Sequence, residues 1–235
     1  MKDAQPTRPS LATLMIVLTG VTGLVEAVSL LALGPVFTAM QTGNVLFLAF
    51  GIAREGNLPA LPSAVSLVAF AVGAVGGARM ESAAEARGWR WMGIGLYTEA
   101  ALVVAAAATG WDLVPRYGSP TARHMVVTAL LATAMGFRNV TSMRVDVPGV
   151  PTTLVTRSMT ALMGGSVLGR DTAFGYGTAG WVRRGLAVLA MFTGGLAGAL
   201  LLRAGWTVGE LLLPAAVVVS LVSLAHRRLP LLHTA

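Results

Sequence analysis

The sequence predicts an all-α, polytopic transmembrane helical bundle with about six full spans, two short broken or partial helices, and a two-fold internal repeat that is inverted. Three observations carry this. The 235 residues are 55% hydrophobic with mean hydropathy +0.73, and only 11% are charged, against about 25% in an ordinary soluble domain. The apolar residues are gathered into runs of about 20, the length that spans a bilayer at 1.5 Å per residue. Polar, Gly-bearing segments recur at corresponding places in the two halves.

The chain reads as one membrane domain, 1–235, with repeat halves at about 11–110 and 123–225. The start, "MKDAQPTRPS", is polar and lightly basic. The long run after it lacks a small-residue cleavage site and is read as a retained first span, 11–33. Further clear spans are 58–78, 91–110 and 185–202; the runs 125–143 and 206–225 are apolar but carry Arg138 and Glu210. The awkward segments are 36–53 and 150–168, beginning beside Pro35, Pro148 and Pro151. They resemble each other: "TAMQTGNVLFL" aligns with "TTLVTRSMTAL", "GLVEAVS" with "GFRNVTS", and "FAVGAVGGA" with "FTGGLAGAL".

Charge sorts the connections. With six full spans and a cytoplasmic N-terminus, 11 of the 17 basic residues lie inside. Arg54, Arg116, Arg123 and Arg203 lie outside, and Arg138 and Arg157 lie within segments. Eight full crossings would give 10 against 5. Both obey the positive-inside rule, so this count leaves the choice open. The net charge of +7 and pI of about 11.2 thus fit membrane orientation, and no basic run with interleaved aromatics points to nucleic acid. With no cysteine, thiolate and Cys-type metal chemistry are excluded.

"TGLVEAVSLLALGPVFTAMQTGNVLFLAFGIA" and "GFRNVTSMRVDVPGVPTTLVTRSMTAL" together resemble the two signatures of the YoaK-like family of bacterial multi-pass membrane proteins, a domain of unknown function, the second in its actinobacterial form. The resemblance covers nearly the whole chain. It implies an integral membrane protein of about six helices in a bacterial cytoplasmic membrane, and no established substrate. This chain departs from the pattern at Glu26, where the family usually has Asp, and at Arg157, where it usually has a small or hydroxyl residue.

Glu26 lies midway along the first span, where a carboxylate is expensive; it reads as a proton or substrate-amine site, or as half of a structural pair. Arg138, beside Asn139, occupies nearly the repeat-equivalent place, and the two charges are expected to approach at the midplane. Gln41, Thr42, Gly43 and Asn44, with Thr152, Thr153, Thr156, Arg157 and Ser158, form a second group. These residues suit a substrate site of amides, hydroxyls and helix ends, or hydrogen bonding that repairs two helix breaks. Arg157 is expected to face the central cavity and attract an anionic substrate group. Glu99 is placed to relay protons, and Glu210 to reach the interface.

The glycines of "GAVGGA" and "GGLAGA" are expected to pack helices closely. Trp89, Trp91, Trp111, Trp181 and Trp206 fit an interfacial belt. His124, His226 and His233 fall in loops or the tail without ligand spacing, and no catalytic motif is present. The sequence therefore predicts no enzyme, no cofactor and no metal. It predicts a transporter of a small solute, anionic if Arg157 is in the site and proton-coupled if Glu26 is. The alternatives are a passive channel and a non-transporting scaffold or sensor. The partners expected are the lipid bilayer and the solute, with homo-oligomerisation left open.

Overall fold

A computed structural model describes residues 10–56, 58, 60–115, 120–145, 155–166, 169 and 178–227. Among these residues the secondary structure is helical, with no strand. The helices are α1 (Leu11–Ala32), α2 (Gln41–Ala53), α3 (Ala60–Ala86), α4 (Trp91–Thr109), α5 (Ala122–Val145), α6 (Val155–Gly164), α7 (Thr178–Arg203) and α8 (Val208–His226). Five of them, α1, α3, α4, α7 and α8, are long and apolar enough to cross a membrane. At 24 residues, α5 is long enough but less apolar, and its His124, Arg138 and Thr141 side chains are buried and hydrogen-bonded inside the bundle.

Local chemistry fixes the ends. Ser10 caps α1 by accepting from the Thr13 N–H at 3.2 Å, and Thr19 and Thr22 return their hydroxyls to the carbonyls four residues back. At α8 the Thr207 hydroxyl accepts from Glu210 N–H while the Glu210 carboxylate accepts from Thr207 N–H at 2.7 Å. Glu210 thus closes a capping box and not merely an interfacial contact.

Close contacts fix the directions. Along α1, Gly20, Gly23 and Ala27 meet Gly194, Gly195 and Gly198 of α7 in ascending order, so these helices run parallel. Likewise Gly73 and Gly77 of α3 meet Thr133 and Phe137 of α5. The two seams correspond atom for atom. A methyl on Gly194 would overlap the Gly20 carbonyl oxygen, as one on Gly73 would overlap that of Thr133. A methyl on Gly23 would overlap the Met191 oxygen and crowd the Gly195 nitrogen, as one on Gly136 would for Phe70 and Ala74. The glycine motifs are packing surfaces, as the sequence suggests.

Against these parallel seams, α1 runs antiparallel to α5: Arg138 reaches Leu18 and Thr22 while Gly34 touches Pro120. Antiparallel packing also joins α4 to α8, with Gly93 beside Ser223 and Gly110 beside Val208. Hence α1 runs opposite to α5, α3 opposite to α7, and α4 opposite to α8. Neighbours follow the order α3, α5, α4, α8, α1, α7, with α2 on the flank of α3 and α6 on the flank of α7.

Element lengths differ from the sequence expectation in three places. Helix α3 continues past residue 78 to Ala86, α7 starts at Thr178 and not 185, and α6 is a ten-residue helix within 150–168. Trp91 also departs from the belt: it is 2% exposed, with the Arg144 guanidinium 4.8 Å above its ring. The other four tryptophans are exposed.

Candidate functional site

The first half of the expected site is a fold-back. After α1 ends, residues 33–40 turn inward until Thr38 and Ala39 lie beside Glu26. Glu26 sits six residues before the end of α1, or roughly 9 Å back along its axis. One carboxylate oxygen, Oε1, accepts from Thr38 N–H (2.9 Å), the Thr38 hydroxyl (3.0 Å) and Ala39 N–H (2.6 Å). Helix α2 then starts at this depth and runs antiparallel to α3, its Asn44 beside Ser66 and its Gly51 beside Ala60. It therefore travels in the same direction as α1 and forms a re-entrant segment, not a full crossing.

Gln41, Gly43 and Asn44 hold this fold-back shut. Asn44 accepts from Phe37 N–H at 2.9 Å and donates to the Phe37 carbonyl at 2.6 Å, as a neighbouring strand would. The Ser66 hydroxyl donates to the same carbonyl at 2.6 Å, and Gln41 donates to the Thr38 carbonyl at 2.8 Å. Gly43 leaves room for the Phe37 ring, which a methyl would meet at 2.7 Å. The repair reading describes these residues: non-helical backbone at membrane depth is tolerated when other groups satisfy it. Thr42 is exposed.

One polar atom stays out of this accounting. Oε2 of Glu26 is buried without a hydrogen-bond partner among the described residues. Glu26 lines a cleft of about 290 Å³ between α1, the fold-back and α7, whose other walls include Leu30, Phe37, Met40 and Met191.

Arg138 does not meet Glu26. It makes a two-pronged pair with Glu99, Nε to Oε2 at 2.7 Å and Nη2 to Oε1, with both side chains fully buried. Its Nη1 donates to the Leu18 carbonyl (2.8 Å) and to the Thr22 hydroxyl (3.2 Å). Every side of the guanidinium is occupied, because Glu99 on α4 faces α5 at that level whereas Glu26 is turned to its own fold-back. Asn139, next to it, is half-buried, with its amide 3.8 Å from the Met143 sulfur.

None of Thr156, Arg157 and Ser158, the described second-half residues of this group, lines the Glu26 cleft. Thr152 and Thr153 lie outside the described residues. On α6, Thr156 and Arg157 are exposed and Ser158 is buried. The expectation that Arg157 faces an enclosed central cavity is not met: α6 packs on the outer flank, against α7.

Two further groups join these sites that no motif in the sequence singles out. Thr38 supplies most of the Glu26 contacts, and Glu81 is a fully buried carboxylate on α3 that accepts from the Thr141 hydroxyl, with Arg144 Nε 3.5 Å away. Arg144 also pairs with Glu85. The signal for this cluster was the "ESAAEA" spacing, which puts two carboxylates on one helical face. His124 sits at the start of α5, its ring bonded to the Thr121 hydroxyl (2.7 Å) and the Val114 carbonyl (3.1 Å). Among the described residues, no group of His, Asp and Glu is arranged to hold a metal ion.

Long apolar helices, glycine seams and a charge pair sealed inside the bundle define a multi-pass helical membrane protein with a re-entrant segment after its first helix. Residues 14–225 match the family described as "Protein of unknown function (DUF1275)", and the chain belongs to that family. It is similar to the UPF0700 transmembrane protein YoaK of Bacillus subtilis (strain 168), with 24% identity over 151 residues. The match covers 64% of this chain and 65% of the length of YoaK, so the chain spans just under two-thirds of that relative. No solved structure matches.

Proposed function

We propose that this chain is a secondary transporter of a small solute, with Glu26 as the group that exchanges a proton or a substrate ammonium. The observation that carries this is the asymmetry of the carboxylate: three donors hold Oε1, while Oε2 is unpartnered beside an apolar cleft. An intramembrane carboxylate with one open oxygen is suited to a cation or proton. This turns the charge preference away from the anion expected at Arg157, which lies outside the cleft.

The repeat supports the same reading. Opposed directions and matching seams in the two quartets are what an inverted-topology repeat requires, and transporters of that kind bind at segments broken within the membrane. Arg79, Arg87, Arg90, Arg144 and Arg227 share one end of the bundle, and Arg54, Arg123 and Arg203 the other. By the positive-inside rule the first end is cytoplasmic, in a bacterial cell membrane.

The test is proton movement in vesicles containing the full chain and a trapped pH dye, challenged with methylammonium and longer alkylammonium ions. The parent is expected to couple uptake of at least one amine to a pH change, and Glu26→Gln to reduce it roughly tenfold or more while the protein stays folded. Parental coupling in Glu26→Gln, or no amine-dependent change in the parent, overturns the proposal.

A further inference from the structure

The antiparallel pair α4 and α8 forms a cleft at each of its ends. At one end the cleft, about 470 Å³, is lined by Trp111, Trp206, Glu210 and Leu213 among others. At the other, a cleft of about 380 Å³ is lined by Arg90, Gly93, Ile94, Tyr97 and Arg227. The clefts occupy corresponding places, since Gly93 lies beside Ser223 as Gly209 lies beside Ala107. Their linings differ in charge. Two guanidiniums stand where the opposite end has two indoles, and no carboxylate is among the described residues lining the basic cleft.

We infer that the Arg90–Arg227 cleft is a binding site for a phosphate group, supplied by an anionic phospholipid of the leaflet at that end. Four features converge on this chemistry. Arginine presents planar sets of donors that match phosphate oxygens, and two of them line one cleft. The α4 N-terminus begins there, with Arg90 at its cap position making no side-chain cap of its own, so its positive dipole end adds to the field. The Tyr97 ring, 5.4 Å from the Arg227 guanidinium, holds that side chain over the cleft by cation–π attraction. Gly93 keeps the floor open, since a methyl there would touch only the Ser223 hydroxyl and Arg90 at 3.9–4.0 Å.

A lipid is the occupant favoured over free phosphate because an apolar track leads away from the cleft. Val217, Leu221 and Leu224 are exposed on α8 at the spacing that puts them on one face, where an acyl chain can lie. Nearby Trp89 is 59% exposed with Arg87 stacked 5.8 Å from its ring, the arrangement of a headgroup-level anchor. The opposite cleft offers tryptophans and a carboxylate, and no cation is among the described residues lining it.

The test is lipid binding to the detergent-purified full chain, followed by native mass spectrometry during titration with phosphatidylglycerol or phosphatidylcholine. The parent is expected to prefer phosphatidylglycerol by roughly tenfold, from two cations each acting near the surface. Arg90→Gln with Arg227→Gln should abolish that preference, while Arg90→Lys with Arg227→Lys, keeping the charge, should retain part of it. Trp111→Leu with Trp206→Leu, at the other cleft, should leave it unchanged and shows that a double substitution on this helix pair is tolerated. Equal binding of the two lipids by the parent, or an undiminished preference in a folded Gln double variant, overturns the inference. Loss of bound lipid to millimolar inorganic phosphate, with binding indifferent to acyl chains, would keep the phosphate site and overturn its lipid occupant.

Discussion

Glu26 and Arg138 are both single charges buried in the interior, on helices that correspond in the two halves, and the fold treats them differently. Arg138 is saturated: Glu99 takes one edge, and Leu18 and Thr22 on the opposing half take another. Glu26 is held by one oxygen only, and its partners are the peptide groups and hydroxyl of a segment that loops back from its own helix. A charge closed on all sides by other helices fastens those helices together. A charge with one open oxygen, tied to a short fold-back, has something left to bind. The comparison marks one charge as a fastening, and under the proposed function the other is the one that exchanges.

Removing one member of the closed pair should produce the largest effect. Arg138→Met leaves Glu99 buried and uncompensated, and breaking such a pair costs about 3–5 kcal/mol. Its thermal midpoint in detergent should fall well below that of Glu26→Gln, whose amide oxygen still accepts the three bonds to Thr38 and Ala39. Adding Glu99→Leu to Arg138→Met should recover much of the loss, because a well-packed apolar replacement no longer strands a charge. If Glu26→Gln proves the more damaging of the two, the assignment of roles is reversed.

A middle-sized effect is expected at Asn44. Asn44→Ala strips Phe37 of its N–H partner and weakens the bonds to its carbonyl, at about 1–3 kcal/mol for buried polar groups left unpaired. Its signature is local. Hydrogen exchange should quicken at the Phe37 and Thr38 amides while the Arg138–Glu99 region stays protected. Uniform quickening across the bundle would show that the fold-back is part of the core and not a separable segment.

The smallest effect should come from a third ion pair, between the loop after α4 and the first turn of α5. Asp112 and Arg123 approach to 2.5 Å with both side chains substantially exposed. The Arg123 hydrogen bond, then the Asp112 backbone N–H and the Arg123 charge, hold the Asp112 carboxyl below the usual carboxylate range. A lowered folded-state pKa stabilises above the unfolded value, about 3.9, and that stability is lost as pH falls through the folded value. Asp112→Asn should leave the melting temperature at pH 7 indistinguishable from the parent and remove only a slight dependence below about pH 4. A clear loss at pH 7 would show that exposed pairs share the work credited to the buried one.

The spans were legible because hydrocarbon depth demands long apolar runs. The break after α1 was legible too, because "QTGN" is out of place in such a run. What the break residues do was open in sequence, since amides and hydroxyls serve a ligand or a stranded peptide group equally. The structure assigns Asn44, Gln41 and the unmarked Ser66 to the peptide groups of Phe37 and Thr38. Sequence spacing puts Glu26 at mid-depth and so opposite Arg138, but only helix directions and facing show that Glu99 is the acid that meets it. Glu81 escaped because its charged surroundings read as a loop. Its charge is instead accommodated inside, against Thr141 and Arg144, so α3 could continue.

The parallel seam between α1 and α7 has a consequence for how the chain is made. Gly20 and Gly23 are shaped to receive residues 190–198, which emerge from the ribosome about 170 residues later. At roughly 5–20 residues per second, α1 waits in the bilayer for about ten to thirty seconds with its glycine groove bare. During that interval other small-residue helices can occupy the groove, and two nascent copies can exchange theirs. Because each half supplies the partner for the other, a truncated product ending after α4 would retain α1 without its seam, a natural substrate for membrane quality control.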